Sequence, residues 1–573
     1  MNTELTGKAS IDRPWLKFYQ GIVEHLSVPE CTLREYLTKS CDDMNIPAVH
    51  YYGTDISWAE MLVKADRAAR ALKAIGFNEG DQIPVFFRSV PEFIALLLAA
   101  ETIGASLLCR DNTLEENVEA VMKSGAKVIF AHDFLTQKEA DAYVKDAGVE
   151  HIVLLSPYHE TVETEMPEHV KSYIGSLYGT SAQGSAVMSW DEFIKAGEGY
   201  TGSVEAPQDI HRPLFRAYTS GSTGPSKQVI HSANSMIGIV YQMTFYGAHE
   251  SIRPKWLLTL LPPALVAVVV SMILVPLASN KLLILDPFCD VFDIDLEFMR
   301  YRPNCWPHIP MFIEILMKSP RMPKDYDMSH LLVAGAGCEA FNNGQIRRIQ
   351  QFLDDHNCKA AYASAYGQSE AGSNCTLPCP VYPAGDGNIG IPMPLTTMAV
   401  FKPGTEEELS YNELGELCKA GPGNMLGYDD EESTKKALKL HSDGQVWLHT
   451  GDLGYINEEG IVFVLTRGNS KRFGGGRLID LVMENRVIDA NIDGIVDAFF
   501  LSAPDEDHEG YFLPYLYVVL KDGYTVEDIH DAVYDALELH EHPVKITQLP
   551  ERPFFHFKTN RVGLRQELKS AAN

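Results

Sequence analysis

Residues 218–229, YTSGSTGPSKQV, gather the hydroxyls of Thr219, Ser220, Ser222 and Thr223 around Gly221, Gly224 and Lys227. Glycines admit close approach to the backbone, and N–H and O–H donors beside one ammonium can cradle a polyphosphate. No Gly-Lys-Ser/Thr closes the run, so it departs from the common nucleoside-triphosphatase loop. The competing reading is a polar surface turn. Three other patterns imitate known chemistry. Residues 335–340, GAGCEA, follow an apolar run and precede Asp354 and Asp355 by about 20 positions, as a dinucleotide fingerprint would. Residues 367–371, GQSEA, approach a hydrolase nucleophile elbow, but Ala371 stands where its final glycine belongs. Cys375 with Cys379, and His540 with His542, have no second ligand pair at zinc-finger spacing, so they read as structural cysteines and solvated histidines.

The elements that must position these residues follow from periodicity. Ser57 and Glu60 form a capping box, and Trp58, Met61, Leu62, Ala65, Ala68, Ala69 and Leu72 recur at helical spacing until Gly76. A strand over 83–87 follows, then a second capping box from Ser89 and Glu92 that opens an apolar helix over 93–103, then strands at 128–131 and 152–155. This alternation predicts a parallel, doubly wound sheet. Residues 157–205 carry no sustained period apart from a short helix near Trp190 and read as a surface excursion. A second α/β stretch spans 214–392 and a turn-rich β region 415–465. Beyond Arg467 a Gly-rich loop leads to strands at 498–501 and 513–520 and a helix over 526–539. The expected fold class is α/β, with a large N-terminal domain of doubly wound sheets plus a β-rich subdomain over 1–466 and a small α+β C-terminal domain over 467–573. Residues 256–278 are nearly all apolar, but Pro262 and Pro263 divide them into a short strand and a buried helix of about 14 residues, not a transmembrane segment.

At 573 residues, with 45% hydrophobic and 22% charged side chains, the chain can build at least two globular cores. Forty-eight Lys and Arg against 77 Asp and Glu give a net charge of -29, which removes the basic footprint that nucleic acid requires. Ten scattered cysteines and a polar start without a signal-peptide pattern point to a reducing, cytoplasmic setting.

Further motifs follow 218–229 in order: Gly335-Ala336-Gly337 after an apolar strand, Ala365-Tyr366-Gly367-Gln368-Ser369-Glu370, Gly421-Pro422 with Gly427-Tyr428, Thr450-Gly451-Asp452, Arg467, and the run Gly474 to Gly476. The series resembles that of the adenylate-forming superfamily, which includes acyl-CoA synthetases, luciferases and peptide-synthetase adenylation domains, over nearly the whole chain. The resemblance implies that Thr219, Ser220, Gly221, Ser222, Thr223, Gly224 and Lys227 hold ATP phosphates. It implies that Gly335, Ala336, Gly337, Ala365, Tyr366 and Gly367 surround adenine, that Asp452 accepts both ribose hydroxyls, and that Arg467 reaches ribose or phosphate. Glu370, beside Ser369, would hold Mg, which takes hard oxygen ligands. It further implies a mobile C-terminal domain hinged near Asn469, whose loop faces the active site in a second half-reaction, with Arg472 and Arg477 meeting CoA phosphates beside Gly475 and Gly476.

The chain departs from that family at four places. Ser226-Lys227-Gln228 replaces Pro-Lys-Gly, and Asn469 replaces the hinge Asp or Lys. Where the family often has a His or an aromatic after a Pro, and amino-acid adenylation domains an Asp, this chain reads Leu261-Pro262-Pro263-Ala264-Leu265-Val266. An unpaired ammonium in that apolar wall is costly, which disfavours amino acids and favours an aliphatic (fatty), aryl or steroid-like carboxylate. The alternative is that residues 264–275 only pack against the sheet. At the C-terminus, FKTNRVGLR lacks a clean match to the family's Gly-Lys segment. Either Lys558 or Arg561 could supply the cation that bridges the substrate carboxylate and the α-phosphate: Lys558 as a compact point charge, Arg561 by its place before Val562 and Leu564. The expected activity is ligation of a small-molecule carboxylic acid through acyl-AMP to acyl-CoA, consuming ATP and CoA. The alternatives are a fatty-acyl-AMP ligase that loads a carrier protein and a non-catalytic ATP-binding sensor.

Overall fold

The computed structural model describes residues 5–572 except 20–22, 220–225, 245–252, 338, 380, 469 and 556–557. Ser57 accepts the Glu60 N–H while the Glu60 carboxylate accepts the Ser57 N–H, and the helix Trp58–Ala74 buries Trp58, Met61, Ala65, Ala68, Ala69 and Leu72 before Gly76 turns the chain at φ 102°. It packs on the helix Pro91–Ile103, which is buried almost throughout. That second helix has no capping box. Val90 is its N-cap and Pro91 opens its first turn, where a missing N–H leaves one fewer donor to satisfy. Ser89 instead donates to Leu261 O at 2.8 Å, and Glu92 lies 2.6 Å from His159 Nδ1.

One sheet runs, in spatial order, Gly427–Tyr428, Gln228–Ser232, Pro213–Tyr218, Ser106–Cys109, Gln82–Phe86, Val128–His132, His151–Leu155 and Val187–Ser189. Its strands run parallel apart from Gln228–Ser232, which pairs antiparallel with both of its neighbours. The edge strand Val187–Ser189 and the helices Glu168–Leu177 and Trp190–Ala196 belong to residues 157–205, so this segment is part of the sheet and its cover rather than an excursion. A second sheet runs Tyr362–Ser364, Val333–Ala336, Cys305–His308, Lys255–Thr259, Leu282–Asp286, Pro47–Tyr51 and Thr54–Ser57, parallel except for the last hairpin. Ser106–Cys109 and Val128–His132 are buried throughout and Leu282–Asp286 nearly so, as strands are in parallel sheets covered by helices on both faces. After Lys255–Thr259 the expected single helix is a π-helix, Val268–Leu274, continued by a short α-helix, Val275–Ala278. Pro276 has no N–H to close an α-turn, and the widened turn sits just ahead of it. Among the described residues no helix is long and apolar enough to cross a membrane.

A third, antiparallel sheet holds Thr397–Phe401, Gly415–Ala420, Val446–Ile456, Leu438–Leu440 and Val462–Arg467. Beyond it, Ile495–Pro504 and Phe512–Leu520 pair antiparallel and Lys545–Gln548 adds in parallel. The helices Asp480–Asp489 and Val526–Ala536 close over Leu478, Met483, Val487, Phe500, Leu516 and Ile529, a core separate from that of the large sheets. The molecule is a mixed α/β protein with a large N-terminal and a smaller C-terminal domain.

Candidate active site

The antiparallel pairing of Pro213–Tyr218 with Gln228–Ser232 makes residues 219–227 the connection between two strands. Its base is closed by Thr219 N–H donating to Lys227 O at 2.9 Å and Lys227 N–H donating to Thr219 Oγ1 at 3.0 Å. Ser220, Gly221, Ser222, Thr223 and Gly224 lie outside the described residues. Gly427–Tyr428 pairs with Val229 and Ile230, which brings Tyr428 beside the loop. Lys227 Nζ lies 4.9 Å from the Tyr428 ring centre, and the Tyr428 hydroxyl donates to Glu370 Oε1 at 2.7 Å. Burial and the adjacent Glu370 carboxylate push the Tyr428 hydroxyl pKa up, so it remains a donor.

Glu370 is buried in the single 3-10 turn Ser369–Ala371. His231 Nε2–H donates to Ser369 O at 2.7 Å; the carbonyl can only accept, so Nε2 carries the proton. Burial, with the charge of Lys419, pushes the His231 pKa down to about 4, and the ring stays neutral. Met425 N–H donates to Glu370 O at 2.9 Å. Lys419, also buried, donates to Pro422 O at 2.7 Å and Asn424 Oδ1 at 2.9 Å, and burial pushes its pKa down to about 8. The strand bearing the loop, the turn of Glu370 and the 421–425 segment are thus tied together through buried polar groups.

Four residues before Glu370, the Tyr366 hydroxyl donates to Asp452 Oδ2 at 2.5 Å. Asp452 and Arg467 are cross-strand partners, with Arg467 Nε 3.6 Å from Asp452 Oδ1. Burial raises the Asp452 pKa against the opposing Arg467 charge, and burial with the Asp452 carboxylate raises that of Tyr366. Lys227, Tyr428 and Glu370 thus form one series of contacts and Tyr366, Asp452 and Arg467 a second, with the Glu370 charge near enough to help raise the Asp452 pKa. The glycine segment lies alongside: Ala365 N–H donates to Ala336 O at 3.2 Å. Among the described residues a Cβ on Gly335 would meet only Ala363 O, at 3.4 Å, and one on Gly337 only Ala365 O, at 3.6 Å. Their bare backbone leaves a surface open to a flat ligand. At Gly367, by contrast, a Cβ would fall 1.7 Å from Ser373 O, so packing itself demands glycine there.

Arg561 Nη1 donates to Glu339 Oε1 at 2.7 Å and Nη2 to Glu484 Oε1 at 2.8 Å. Lys558 sits on the short hairpin Phe554–Phe555 with Lys558–Thr559, and among the described residues its ammonium has no ion pair. The glycine-rich loop folds on the C-terminal domain instead of joining either series. Arg472 Nη1 donates to His540 O at 3.0 Å and His542 O at 2.8 Å, and Gly475 and Gly476 back directly onto His540. Asn469 lies outside the described residues. Val266, and Val268, Val269 and Val270 of the π-helix, are buried in the main core, but Ser271 Oγ lies 2.5 Å from Ser373 Oγ and 3.3 Å from Asn374 Oδ1, so the region is not wholly apolar. Glu370 keeps lone-pair capacity beyond the Tyr428 bond, and one carboxylate suits Mg, which draws its other ligands from phosphate and water. Cys375 with Cys379 and His540 with His542 join no group of metal-ligating atoms among the described residues. His231, Lys419 and Glu339 carry no motif; His231 and Ser369, for instance, are 138 positions apart.

The chain is 25% identical over 437 residues to 4-coumarate–CoA ligase 2 of rice, covering 72% of this chain and 70% of the relative. It is 27% identical over 450 residues, 77% of this chain and 79% of the relative, to a CoA ligase of Mycobacterium tuberculosis whose name gives a methyl-dioxo-octahydro-indenyl propanoyl group. Its fold matches ATP-bound MatB from Rhodopseudomonas palustris with a TM-score of 0.77 at 22% identity, over 95% of this chain and 99% of that one. The AMP-binding enzyme model matches residues 39–429, a range that includes Lys227, Gly335 to Gly337, Tyr366, Glu370 and Tyr428. With that match over most of its length, the chain belongs to the AMP-binding enzyme family of adenylate-forming enzymes.

Proposed function

We propose that this chain is an AMP-forming acid–thiol ligase that converts an apolar carboxylic acid to acyl-AMP and then to acyl-CoA. The observation that carries the reading is Tyr428, whose ring faces Lys227 and whose hydroxyl holds Glu370. A phosphate-binding cation and a metal-binding carboxylate are thereby fixed to one side chain. In the first step a carboxylate oxygen attacks the α-phosphorus of ATP and the bond to pyrophosphate breaks. Lys227 and the hydroxyls of the loop offset phosphate charge, Asp452 orients the ribose, and Gly335 to Gly337 with Tyr366 bound the adenine. Lys558, without an ion pair among the described residues, is placed to bridge the carboxylate and the α-phosphate, whereas Arg561 is held by Glu339 and Glu484. Mg held by Glu370 would neutralise charge building on the phosphates. In the second step a thiolate attacks the acyl carbon and AMP leaves. Rotation of the C-terminal domain about a hinge near Asn469 would bring Arg472, Gly475 and Gly476 to the CoA phosphates.

The run Leu261 to Val270, which carries no charged side chain, supports an apolar acid, and the relatives named as CoA ligases support CoA as acceptor. Purified protein incubated with Mg-ATP, CoA and fatty, aryl, bile and amino acids is assayed for AMP and acyl-CoA by mass spectrometry. Acyl-CoA from an apolar acid is the expected result. Acyl-adenylate without thioester transfers the reading to a carrier-protein acceptor, and ATP left intact with every acid contradicts ligation.

A further inference from the structure

We propose that Glu339 is a positioning residue for adenylation: it clamps the C-terminal segment that bears Lys558 beside the glycine segment and must release it before thioester formation. The proposal rests on the ligase reading above. Glu339 follows Gly337 by two positions, and both its oxygens face the C-terminal segment. Oε1 accepts from Arg561 Nη1 at 2.7 Å, and Oε2 accepts the backbone N–H of Thr559 at 3.0 Å. Thr559 is the residue after Lys558, so the second bond fixes the backbone from which the Lys558 stem rises. The hairpin itself is only two residues per strand and cannot hold that position alone.

The bonds are asymmetric in a way that suits a reversible clamp. Arg561 is anchored in its own domain by Glu484 Oε1 at 2.8 Å and Phe500 O at 3.3 Å, and among the described residues it reaches across the domain boundary to Glu339 alone. Breaking the Glu339 contact leaves Arg561 paired with Glu484, so the C-terminal domain keeps its structure while Glu339 and the Thr559 N–H return to water. Nearby cross-domain bonds do not involve Glu339: Asn343 N–H to Asn485 Oδ1 at 2.8 Å, Asn342 Nδ2 to Ala498 O at 3.0 Å, and Arg347 to Asp489 at 2.7 Å. Removing the Glu339 charge therefore acts on the Lys558 segment and not on docking as a whole.

The test is Glu339→Gln in the full-length protein, with each half-reaction measured in single turnover. Acyl-adenylate formation falls at least ~10-fold, the factor that the loss of about one charge-assisted hydrogen bond corresponds to. Thioester formation from supplied acyl-adenylate and CoA is unchanged or faster, and Glu339→Asp recovers part of the first step. In a Lys558→Ala background Glu339→Gln has no further effect on adenylation, since Glu339 acts through that lysine. The clamp is also read without turnover, as faster hydrogen–deuterium exchange at the Thr559 amide in Glu339→Gln than in wild type. Equal losses in both half-reactions, additivity with Lys558→Ala, or unchanged exchange at Thr559 would each overturn the proposal. If wild-type protein forms no adenylate with any acid, the ligase reading fails, and the exchange measurement still decides whether Glu339 clamps the segment.

Discussion

Replacing Tyr428 with Phe removes one oxygen atom from the centre of the site. The ring remains, so the cation–π contact with Lys227 at 4.9 Å is kept, and only the 2.7 Å bond to Glu370 Oε1 is lost. A hydrogen bond to a charged group contributes about 1.5–3 kcal/mol, so adenylate formation at fixed Mg-ATP should fall about 10- to 150-fold. The loss belongs in kcat/KM for Mg-ATP, because Glu370 is left without its orienting donor. Single-turnover pyrophosphate release as a function of Mg-ATP measures it, with Tyr428→Leu, which also removes the face offered to Lys227, as the more damaging comparison. If Tyr428→Phe stays within about twofold of wild type while Glu370→Gln is inactive, the bond orients nothing and the central role given to Tyr428 is refuted.

Two glycines give opposite expectations. Gly367→Ala places a Cβ 1.7 Å from Ser373 O and should cost about 1–3 kcal/mol in stability by denaturant titration. Gly337→Ala, whose Cβ stands 3.6 Å from Ala365 O, should leave stability unchanged and weaken ATP binding by calorimetry. His231, held neutral with a pKa of about 4 against an ordinary 6.5, contributes stability that is present above pH 6.5 and lost as pH falls toward 4. Acid titration of His231→Gln should lose ~3 kcal/mol less across that window than wild type, and equal losses would contradict the assignment. Lys558→Ala should leave the melting temperature unchanged and lower adenylation ~100-fold or more, the scale of a lost transition-state donor. Arg561→Ala should destabilise the protein by about 3 kcal/mol, because it strands the buried Glu484.

How much of this was legible depended on how local each cause was. The capping box at Ser57 is real because nothing competes with it, whereas the same spacing at Ser89 fails because Pro91 opens the helix and Ser89 has a partner at Leu261, far along the chain. Val187–Ser189 is three residues long, too short for a period, and is a strand only because Val153 lies beside Met188. A π-helix and an α-helix bury the same apolar run, so the apolar pattern does not separate them; the readable signal was Pro276, inside the run expected as one helix. Within the site, residue types were readable but pairings were not. The fifteen-residue spacing of Asp452 and Arg467 becomes a contact only through the register of their hairpin. The choice between Lys558 and Arg561 turns on Glu339 and Glu484, which lie 222 and 77 positions from Arg561.

As an adenylating ligase, the protein joins a carboxylate oxygen of the acid to the α-phosphorus of ATP, a step that leaves an isotopic trace. Supplying a carboxylic acid labelled with oxygen-18 in both carboxyl oxygens, with Mg-ATP and CoA, tests it most directly. Transfer of one labelled oxygen to AMP, with unlabelled pyrophosphate, is the predicted result. Label in inorganic phosphate together with ADP, or AMP without label, would contradict it.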